Sequence, residues 1–222
     1  MSDLMVIAGA TGLIGAAAIE AALARGWRVI ALVRDPAKVF PREGLEAIRA
    51  DFDDLSPLAD RLKKAAPKAF LSALGTTIRI AGSQAAFAKV DRDYVAGFAR
   101  LGIAAGARKF GLVTSVGADA ASRNFYLRTK GEAEAAVLGA GFDRVEIARP
   151  SFLIGARAEH RPGEGLAVPI SQALSPFLVG GLAKYRPIAG ATVARALVAG
   201  LERPESGVFV RHYPELNALA QV

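Results

Sequence analysis

The stretch "LMVIAGATGLIG", residues 4–15, decides the fold of this 222-residue chain. Its first part is a continuous apolar run, which is typical of a parallel β-strand buried on both faces. Three glycines follow with the spacing G-x-x-G-x-x-G, and the residues after them are rich in alanine, as in a helix that packs closely on a sheet. Strand, glycine turn and helix in this order indicate the first half of a βαβ unit.

The same alternation continues along the chain. After the first strand, further strands are predicted at 27–34, 45–51, 68–75, 109–115 and 144–151, with a last short strand at 206–213. Helices are predicted at 13–25, 56–66, 85–107, from 124 to Gly139 or Gly141, and at 191–204. This order predicts an α/β fold with a doubly wound parallel sheet of the Rossmann type. We expect one domain over 1–222, with a nucleotide-binding core at 1–150 and a small substrate-side cap at 151–222. Residues 155–190, rich in proline and glycine, are expected to carry one or two short helices.

Composition excludes several classes of protein. Hydrophobic residues make up 52% and charged residues 22% of the chain, so it can bury a large core. It has no cysteine and two histidines, and we therefore expect neither a disulfide nor a metal site. The net charge of +7 is scattered along the sequence without a nucleic-acid-binding motif, which argues against nucleic acid as a partner. With no signal peptide and no long apolar segment, we expect a soluble cytoplasmic protein with no membrane span.

The glycine-rich turn is the predicted cofactor site. Gly9 would allow the tight turn, Gly12 would let the backbone approach a pyrophosphate, and Gly15 would let the helix meet the strand. The anion would bind the free N–H groups at the helix N-terminus. Because the whole turn would contact the cofactor, the predicted contacts also include Thr11, Leu13 and Ile14. The alternative is a glycine-rich turn with no ligand.

The end of the second strand bears on the choice of dinucleotide. Arg34 lies 19 residues beyond Gly15, where an acidic residue would bind the ribose hydroxyls of NAD and an arginine can neutralise the 2′-phosphate of NADP. Asp35 comes one place later, before a proline, where it would begin a turn. NADP (as NADPH) is therefore the predicted cofactor, and NAD is the less favoured one. A solvated strand-end charge is the alternative for Arg34.

Two further strand ends belong to the predicted site. Asp51 and Phe52 follow the third strand and could border the adenine, although a turn leading into a helix explains them nearly as well. Leu74, Gly75 and Thr76, in "ALGTT" at 73–77, follow the fourth strand and could track the cofactor's ribose and diphosphate. An ordinary loop explains this stretch about equally well.

The chemistry is predicted from "NFYLRTKGEAE", residues 124–134. Tyr126 and Lys130 are four residues apart, so they share one face of a helix. The lysine ammonium would stabilise a tyrosine phenolate, and the pair could exchange a proton with a substrate carbonyl or alcohol. Ser115 or Thr114, in "VTSVG" at 113–117, could supply a hydroxyl that holds the substrate oxygen. The alternative is a half-buried aromatic residue beside a solvated lysine.

Taken together, these motifs resemble the short-chain dehydrogenase/reductase superfamily. The segments "LGTT", "FAKVDRDYV", "GARKFGLVTSVGAD", "FYLRTKGEAE" and "RPSFLIGARAEHRPGE" are similar to an atypical NADP-binding branch, the Tat-interacting-protein-like oxidoreductases. The resemblance covers about residues 5–200 and is specific over 70–165. Many relatives have two serines before the "GAD" segment, whereas this chain has Thr114 first.

The resemblance implies a role for several residues. Tyr126 would be the proton donor or acceptor, Lys130 would hold the nicotinamide ribose, and Ser115 would orient the substrate. Arg161, in "HRPGE", would lie near the cofactor or substrate pocket, and Pro150 is included among the cofactor contacts.

Two functions follow as hypotheses. The first is an NADP-dependent oxidoreductase that transfers hydride between NADP(H) and a small carbonyl or alcohol. The alternative is a non-catalytic, NADP(H)-binding redox-sensing regulator, because some members of the branch are discussed as regulators. We expect a small-molecule substrate and a monomer or homodimer, while the sequence does not identify the substrate.

Overall fold

The computed structural model describes residues 2–155 and 178–222. Within these ranges seven parallel strands form one sheet in the order β3-β2-β1-β4-β5-β6-β9, and β7 and β8 form a separate parallel pair. The strands are β1 (Leu4–Ala8), β2 (Arg28–Val33), β3 (Leu45–Arg49), β4 (Ala69–Ser72), β5 (Lys109–Val113), β6 (Arg144–Ala148), β7 (Leu153–Ile154), β8 (Ile188–Ala189) and β9 (Gly207–Arg211). The predicted doubly wound parallel sheet is confirmed.

Helices cover both faces of this sheet. They are α1 (Leu13–Ala24), α2 (Ala59–Ala65), α3 (Ile78–Ala81), α4 (Gln84–Ala88), α5 (Tyr94–Ala104), α6 (Phe125–Leu138), α7 (Gly190–Glu202) and α8 (Tyr213–Leu219). Short 3₁₀ turns lie at Pro36–Lys38, Ser56–Leu58 and Gly180–Tyr185. The segment 180–185 falls in the region where short helices were expected, and the rest of that expectation lies in 156–177, outside the described residues.

The core has two layers, one on each face of the sheet. On one face of the sheet, Met5 and Ile7 of β1 pack with α1 and α7. On the opposite face, Val6 and Ala8 pack with α5. Because successive side chains of a strand point to opposite faces, a strand buried on both sides must be apolar throughout. All five residues of β1 are buried, which explains the continuous apolar run.

The predicted helix at 85–107 differs from the observed structure. The chain is helical over this region, but α4 and α5 are separated by a turn of π-helix at Lys89–Asp93. A π turn accommodates one additional residue within a helix. Periodicity alone did not indicate this change.

The C-terminal end was also predicted incompletely. The last strand is β9, which pairs with β6 in parallel, but it ends at Arg211 and not at Tyr213. Helix α8 begins there instead, with Pro214 in its first turn and the backbone N–H of His212 donating to Glu215. Proline in the first turn and glutamate at the third position are helix-start signals.

The strand order places a crevice at the carboxyl edge of the sheet. β1 pairs with β2 on one side and with β4 on the other, so the chain reverses its direction of winding between these strands. In doubly wound sheets ligands bind at this reversal, beyond the carboxyl ends of the strands. The glycine turn after β1 and the loop after β4 both lie at this point.

Candidate functional site

The glycine turn is sterically constrained at its two ends. Gly9 has φ of 80°, and a Cβ there would lie 2.4 Å from the carbonyl oxygen of Ala73, just beyond β4. A Cβ at Gly15 would lie 2.0 Å from the carbonyl oxygen of Gly9. Neither position can hold a side chain without backbone movement. Glycine at both positions lets β1, β4 and α1 come together at the crevice.

The middle glycine leaves the helix N-terminus open. Gly12 is the N-cap of the twelve-residue α1, and no side chain caps this end. The first N–H groups of a helix lack intrahelical acceptors and carry a partial positive charge, which suits a phosphate group. Thr11 and Gly12 are exposed, whereas Ile14 and Gly15 are buried, so Ile14 could contact a ligand only through its backbone. The turn therefore fits the pyrophosphate of a dinucleotide.

The predicted adenosine side carries exposed guanidinium groups. Arg34 follows β2 and is exposed. The carboxylate of Asp35 accepts from the backbone N–H of Ala37 at 3.2 Å and so caps the 3₁₀ turn. Arg49, at the end of β3, donates from Nε to the carbonyl of Arg34 at 3.2 Å. Sequence reasoning missed Arg49, because the contact depends on the pairing of β2 with β3.

The residues after β3 and β4 lie beside the crevice. Asp51 accepts from the backbone N–H of Asp53 at 2.9 Å. This is the strand-end turn that was the alternative to a contact with the adenine. Phe52 is half-buried, with its ring centroid 5.7 Å from that of Tyr94. In the loop after β4, Leu74 is half-buried and Gly75 is exposed, and the backbone N–H of Thr76 donates to Asp91 at 2.9 Å.

Tyr126 and Lys130 both lie on α6 but in different surroundings. Tyr126 is 37% exposed, and its ring centroid is 5.6 Å from that of Phe87. Lys130 is only 6% exposed, and its Nζ lies 2.6 Å from Oδ1 of Asp91, which is 1% exposed. The alternative of a solvated lysine is therefore wrong. The lysine is a buried cation with a buried anionic partner.

The two hydroxyls after β5 are distinguished by their partners. Thr114 is buried and donates from Oγ1 to Glu134 at 2.5 Å. The same carboxylate accepts from Nε of Arg149 at 2.9 Å, and this hydrogen bond raises the pKa of Arg149. Ser115 is half-buried, and among the residues 2–155 and 178–222 its Oγ makes one long contact of 3.4 Å, with the carbonyl of Val116. Ser115 is thus the hydroxyl with capacity for a ligand.

Backbone hydrogen bonds hold this loop in place. The N–H of Thr114 donates to Ala148 at 2.9 Å, and that of Val116 donates to Pro150 at 3.0 Å. Pro150 is buried directly after β6. The loops after β5 and β6 therefore lie side by side at the carboxyl edge. Arg161, the remaining predicted cofactor contact, lies outside the described residues.

Sequence reasoning did not select three charged residues at this edge, namely Glu134, Asp91 and Arg49. Glu134 follows Lys130 by four residues on α6, so helical spacing could have indicated that they share a face. Asp91 lies four residues from both Phe87 and Val95, which are buried, so helical spacing could have placed it on the inward face. Its contact with Lys130 depends on the packing of this segment against α6. Arg49 required knowledge of the strand order.

A separate cavity in the described part of the chain lies away from this crevice. It has a volume of about 780 Å³ and lies outside α5, where Phe52, Lys89, Tyr94 and Arg100 are among its lining residues. It contains neither the glycine turn nor Tyr126. We base the assignment of the site on the strand ends and their side chains, since a dinucleotide binds along an open crevice.

Membrane-spanning helices and metal-ligating clusters are both absent from the described ranges. None of their helices combines the length and the apolar character needed to cross a bilayer. They also bring together no group of three or more His, Cys, Asp or Glu side chains that could hold a metal ion.

Comparison with known sequences agrees with this geometry. A family described as NAD(P)H-binding matches residues 9–204. Protein HTATIP2 from Rattus norvegicus is 42% identical over 134 residues, which cover 60% of this chain and 53% of that protein. The mitochondrial protein fmp52 from Aspergillus niger is 33% identical over 169 residues, covering 73% and 71% of the two chains. The match to HTATIP2 thus spans about half of its length.

Solved structures share the fold at low sequence identity. The enzyme WbmH from Bordetella bronchiseptica, in complex with NAD⁺, aligns with a TM-score of 0.72 at 14% identity, over 96% of this chain and 76% of that one. The UDP-Glc/GlcNAc 4-epimerase from Campylobacter jejuni aligns with a TM-score of 0.71 at 14% identity, over 98% and 82%. Such identities establish the Rossmann-like fold alone. The chain belongs to the NAD(P)H-binding family, together with its HTATIP2 and FMP52 relatives.

Proposed function

We propose that this protein is an NADP-dependent oxidoreductase that interconverts a small carbonyl compound and an alcohol. The observation that carries the proposal is the arrangement on α6. Tyr126 is accessible at the carboxyl edge of the sheet, and one turn away Lys130 is buried and held by Asp91. Burying an ion pair is costly, so its presence beside an accessible phenol favours a chemical role over a surface role.

The bound cofactor would supply or accept a hydride at the substrate carbon. In the reducing direction the carbonyl oxygen becomes an alkoxide, which needs a proton. The Tyr126 hydroxyl would give that proton to the oxygen, and the charge of Lys130 would stabilise the phenolate that remains. Ser115 would donate a hydrogen bond to the same oxygen. The oxidising direction reverses each transfer.

The preference for NADP rests on the end of β2. Arg34 is exposed there, Arg49 donates to its carbonyl, and Asp35 is engaged in capping a turn. Guanidinium groups match the charge and planar geometry of a phosphate, whereas recognition of the NAD ribose uses an available carboxylate. The charge at this strand end therefore suits a 2′-phosphate.

Turnover by the wild-type protein tests the proposal. NADPH oxidation is measured across a panel of small aldehydes and ketones, with nucleotide binding measured separately by calorimetry. We expect at least one carbonyl to support turnover, with NADPH preferred over NADH. Tight NADPH binding without turnover of any substrate would contradict the proposal of an enzyme and would support the alternative of a redox-sensing regulator.

We also propose that the protein is cytoplasmic and that it is a monomer or a homodimer. The name of the fungal relative places that protein in mitochondria. Fractionation of the cells that produce the protein, and light scattering of the purified protein, would test both parts.

A further inference from the structure

The two edge strands of the large sheet differ in how they are protected. In the described part of the chain β3 lies at one edge and β9 at the other. The outer backbone groups of an edge strand can pair with a further strand, and charged side chains on the edge oppose such pairing. Glu46 and Arg49 of β3 are exposed, whereas the exposed side chains within β9 are those of Val208 and Val210. Charge therefore protects β3 but not β9.

The backbone of β9 presents unused hydrogen-bonding groups on its outer side. The N–H of Gly207 donates to Asp143, beside β6, at 2.8 Å. Every second residue of a parallel strand bonds to its neighbour, so Phe209 also faces β6 while the N–H and C=O groups of Val208 and Val210 point away from it. Among the described residues no strand lies on that side. These four groups are therefore available to a further strand.

One face of β9 is also open. Val208 and Val210 are in register with Val145 and Ile147 of β6, so they lie on the side of the sheet that α6 covers. The two residues of β6 are buried there, but Val208 is 53% and Val210 is 38% exposed. The apolar layer on this side therefore continues beyond β6 onto an uncovered edge.

Side chains on the opposite face hold β9 firmly on the sheet. The guanidinium groups of Arg144 and Arg211 lie 4.1 Å and 4.9 Å from the ring centroid of Phe209. Both arginines also donate to the buried carboxylate of Glu146, beneath α7. A strand fixed in this way is preorganised for pairing, because little conformational entropy remains to be lost.

We propose that two copies of this chain pair through β9, antiparallel and about a two-fold axis, so that one sheet continues from each copy into the other. With the axis at Phe209, Val208 of each copy lies opposite Val210 of its partner. Residues opposed in this way exchange both of their backbone hydrogen bonds. The proposal goes beyond the proposed function and does not depend on it.

The strand suits a second copy of itself at its ends as well as at its centre. Glu205, which precedes β9, is exposed, and Arg211, at the end of β9, is half-buried. An antiparallel partner brings the acidic start of one strand towards the basic end of the other, and places valine opposite valine. Two-fold interfaces, in which both copies use the same surface, are the commonest among homo-oligomers.

The mass of the protein in solution tests the pairing. Light scattering after size-exclusion chromatography is measured over a wide range of protein concentrations, because dimerisation follows mass action. We expect the wild type to reach twice the chain mass of 23.1 kDa. Val208→Lys combined with Val210→Lys should stay monomeric, since like charges would face each other across the two strands. Phe40→Lys, at an exposed position between β2 and β3, is the control and should dimerise like the wild type.

A mixture of two variants distinguishes loss of pairing from loss of folding. Val208→Glu combined with Val210→Glu should also be monomeric alone, but mixing it with the double lysine variant should restore a dimer, because opposite charges then face each other. In the wild type, the amide hydrogens of Val208 and Val210 should exchange more slowly as the concentration rises.

Three results would overturn the proposal. They are a wild type that remains at 23.1 kDa at every concentration, a dimer that persists in the double lysine variant, and a mixture that stays monomeric. NADPH affinity should be the same in all of these variants, because β9 pairs through its outer edge and the glycine turn lies after β1. Failure of the dimer and failure of the cofactor site can therefore be told apart.

Discussion

The side chains at the carboxyl edge differ in how much of their hydrogen-bonding capacity is already used by neighbouring residues. Glu134 accepts hydrogen bonds from both Thr114 and Arg149, so these side chains already have partners within the protein. Tyr126 and Ser115 are more accessible, and they have fewer polar partners within the part of the chain that the structure describes. At this scale the residues with unused hydrogen-bonding capacity are the ones expected to contact a substrate.

Tyr126→Phe should separate catalysis from binding. The change removes one hydroxyl and preserves the ring that packs near Phe87. General acid–base catalysis contributes about a hundredfold to ten-thousandfold, and turnover should fall by that order. NADPH affinity should be unchanged, because the phenol need not contact the phosphates. Full activity in this variant would show that Tyr126 is only a packed aromatic residue.

Arg34→Gln should reduce the preference for NADPH over NADH. The variant removes the guanidinium expected to bind the 2′-phosphate, so NADPH affinity should fall about tenfold or more while NADH affinity stays within twofold. Arg42→Gln is the control, since Arg42 lies in the same β2–β3 connection but pairs with Glu20 at 3.0 Å. Calorimetric titration of both nucleotides measures the ratio. An unchanged ratio in Arg34→Gln would exclude Arg34 from cofactor recognition.

At the scale of elements, the glycine turn combines a structural and a binding requirement. Its outer glycines allow β1, α1 and the end of β4 to meet, whereas Gly12 is exposed and a Cβ there would lie 3.3 Å from the carbonyl oxygen of Gly9. Substitutions at these positions should therefore have different consequences.

Gly12→Val should abolish nucleotide binding while the fold survives. Among the described residues, a Cβ at this position meets the carbonyl of Gly9 at 3.3 Å, and the rest of the side chain would occupy the space expected for the pyrophosphate. Circular dichroism checks the fold, and calorimetry checks binding. Retained binding with an unchanged spectrum would refute the proposed position of the cofactor.

Gly15→Ala should destabilise the protein itself. The new methyl group would collide with the carbonyl of Gly9, and overpacking of this kind costs about 1–3 kcal/mol or more. Gly97→Ala, in α5, is the control, because its Cβ would meet only the end of Arg100 at 3.7 Å. That change should stabilise the helix by about 0.5–1 kcal/mol. Urea denaturation of both variants measures the difference, and equal midpoints would contradict the close packing of α1 on β1.

At the scale of the whole molecule, the C-terminal part is integrated with the first βαβ unit. Helix α7 packs against α1, and β9 extends the sheet beyond β6. Glu202, at the end of α7, accepts from Arg25 and from Nε1 of Trp27, both at 2.8 Å. These contacts join residues that are about 175 positions apart. The carboxylate therefore links the two ends of the domain.

This link should make stability depend on pH. Burial by itself would raise the pKa of Glu202, but the hydrogen bonds from Arg25 and Trp27 outweigh it and hold the pKa below its ordinary value. A carboxyl with a lowered pKa contributes stability above its unfolded value of about 4.3 and loses it as the pH falls through the folded value. Glu202→Gln should therefore lower the free energy of unfolding by about 1–2 kcal/mol at pH 7 and by much less below about pH 4.

Denaturant titrations at a series of pH values measure this effect, with Glu43→Gln as the control at an exposed position. We expect the control to follow the wild type throughout. A deficit in Glu202→Gln that stays constant down to pH 3 would show that the carboxylate's charge is not responsible.

Local sequence was sufficient for the elements and for the general position of the site. The apolar run of β1, the glycines after it and the helix stop at Gly26 depend on residues adjacent in the chain, and all three are present in the structure. Alternating strands and helices in turn require parallel pairing, which places every strand end at one edge. Gly9, Ser115 and Tyr126 could therefore be assigned to that edge from sequence.

Packing between segments that are distant in sequence determines which polar groups face each other. The contact of Asp91 with Lys130 depends on how the segment after α4 packs against α6. Whether Thr114 or Ser115 remains available depends on the position of Glu134 on α6. Arg49 meets Arg34 only because β3 pairs with β2. Such contacts join residues distant in sequence, and local periodicity carries no information about them. Residues adjacent in the chain are therefore enough to predict the fold and the edge of the sheet at which the candidate site lies, whereas tertiary packing decides the contacts between its polar groups.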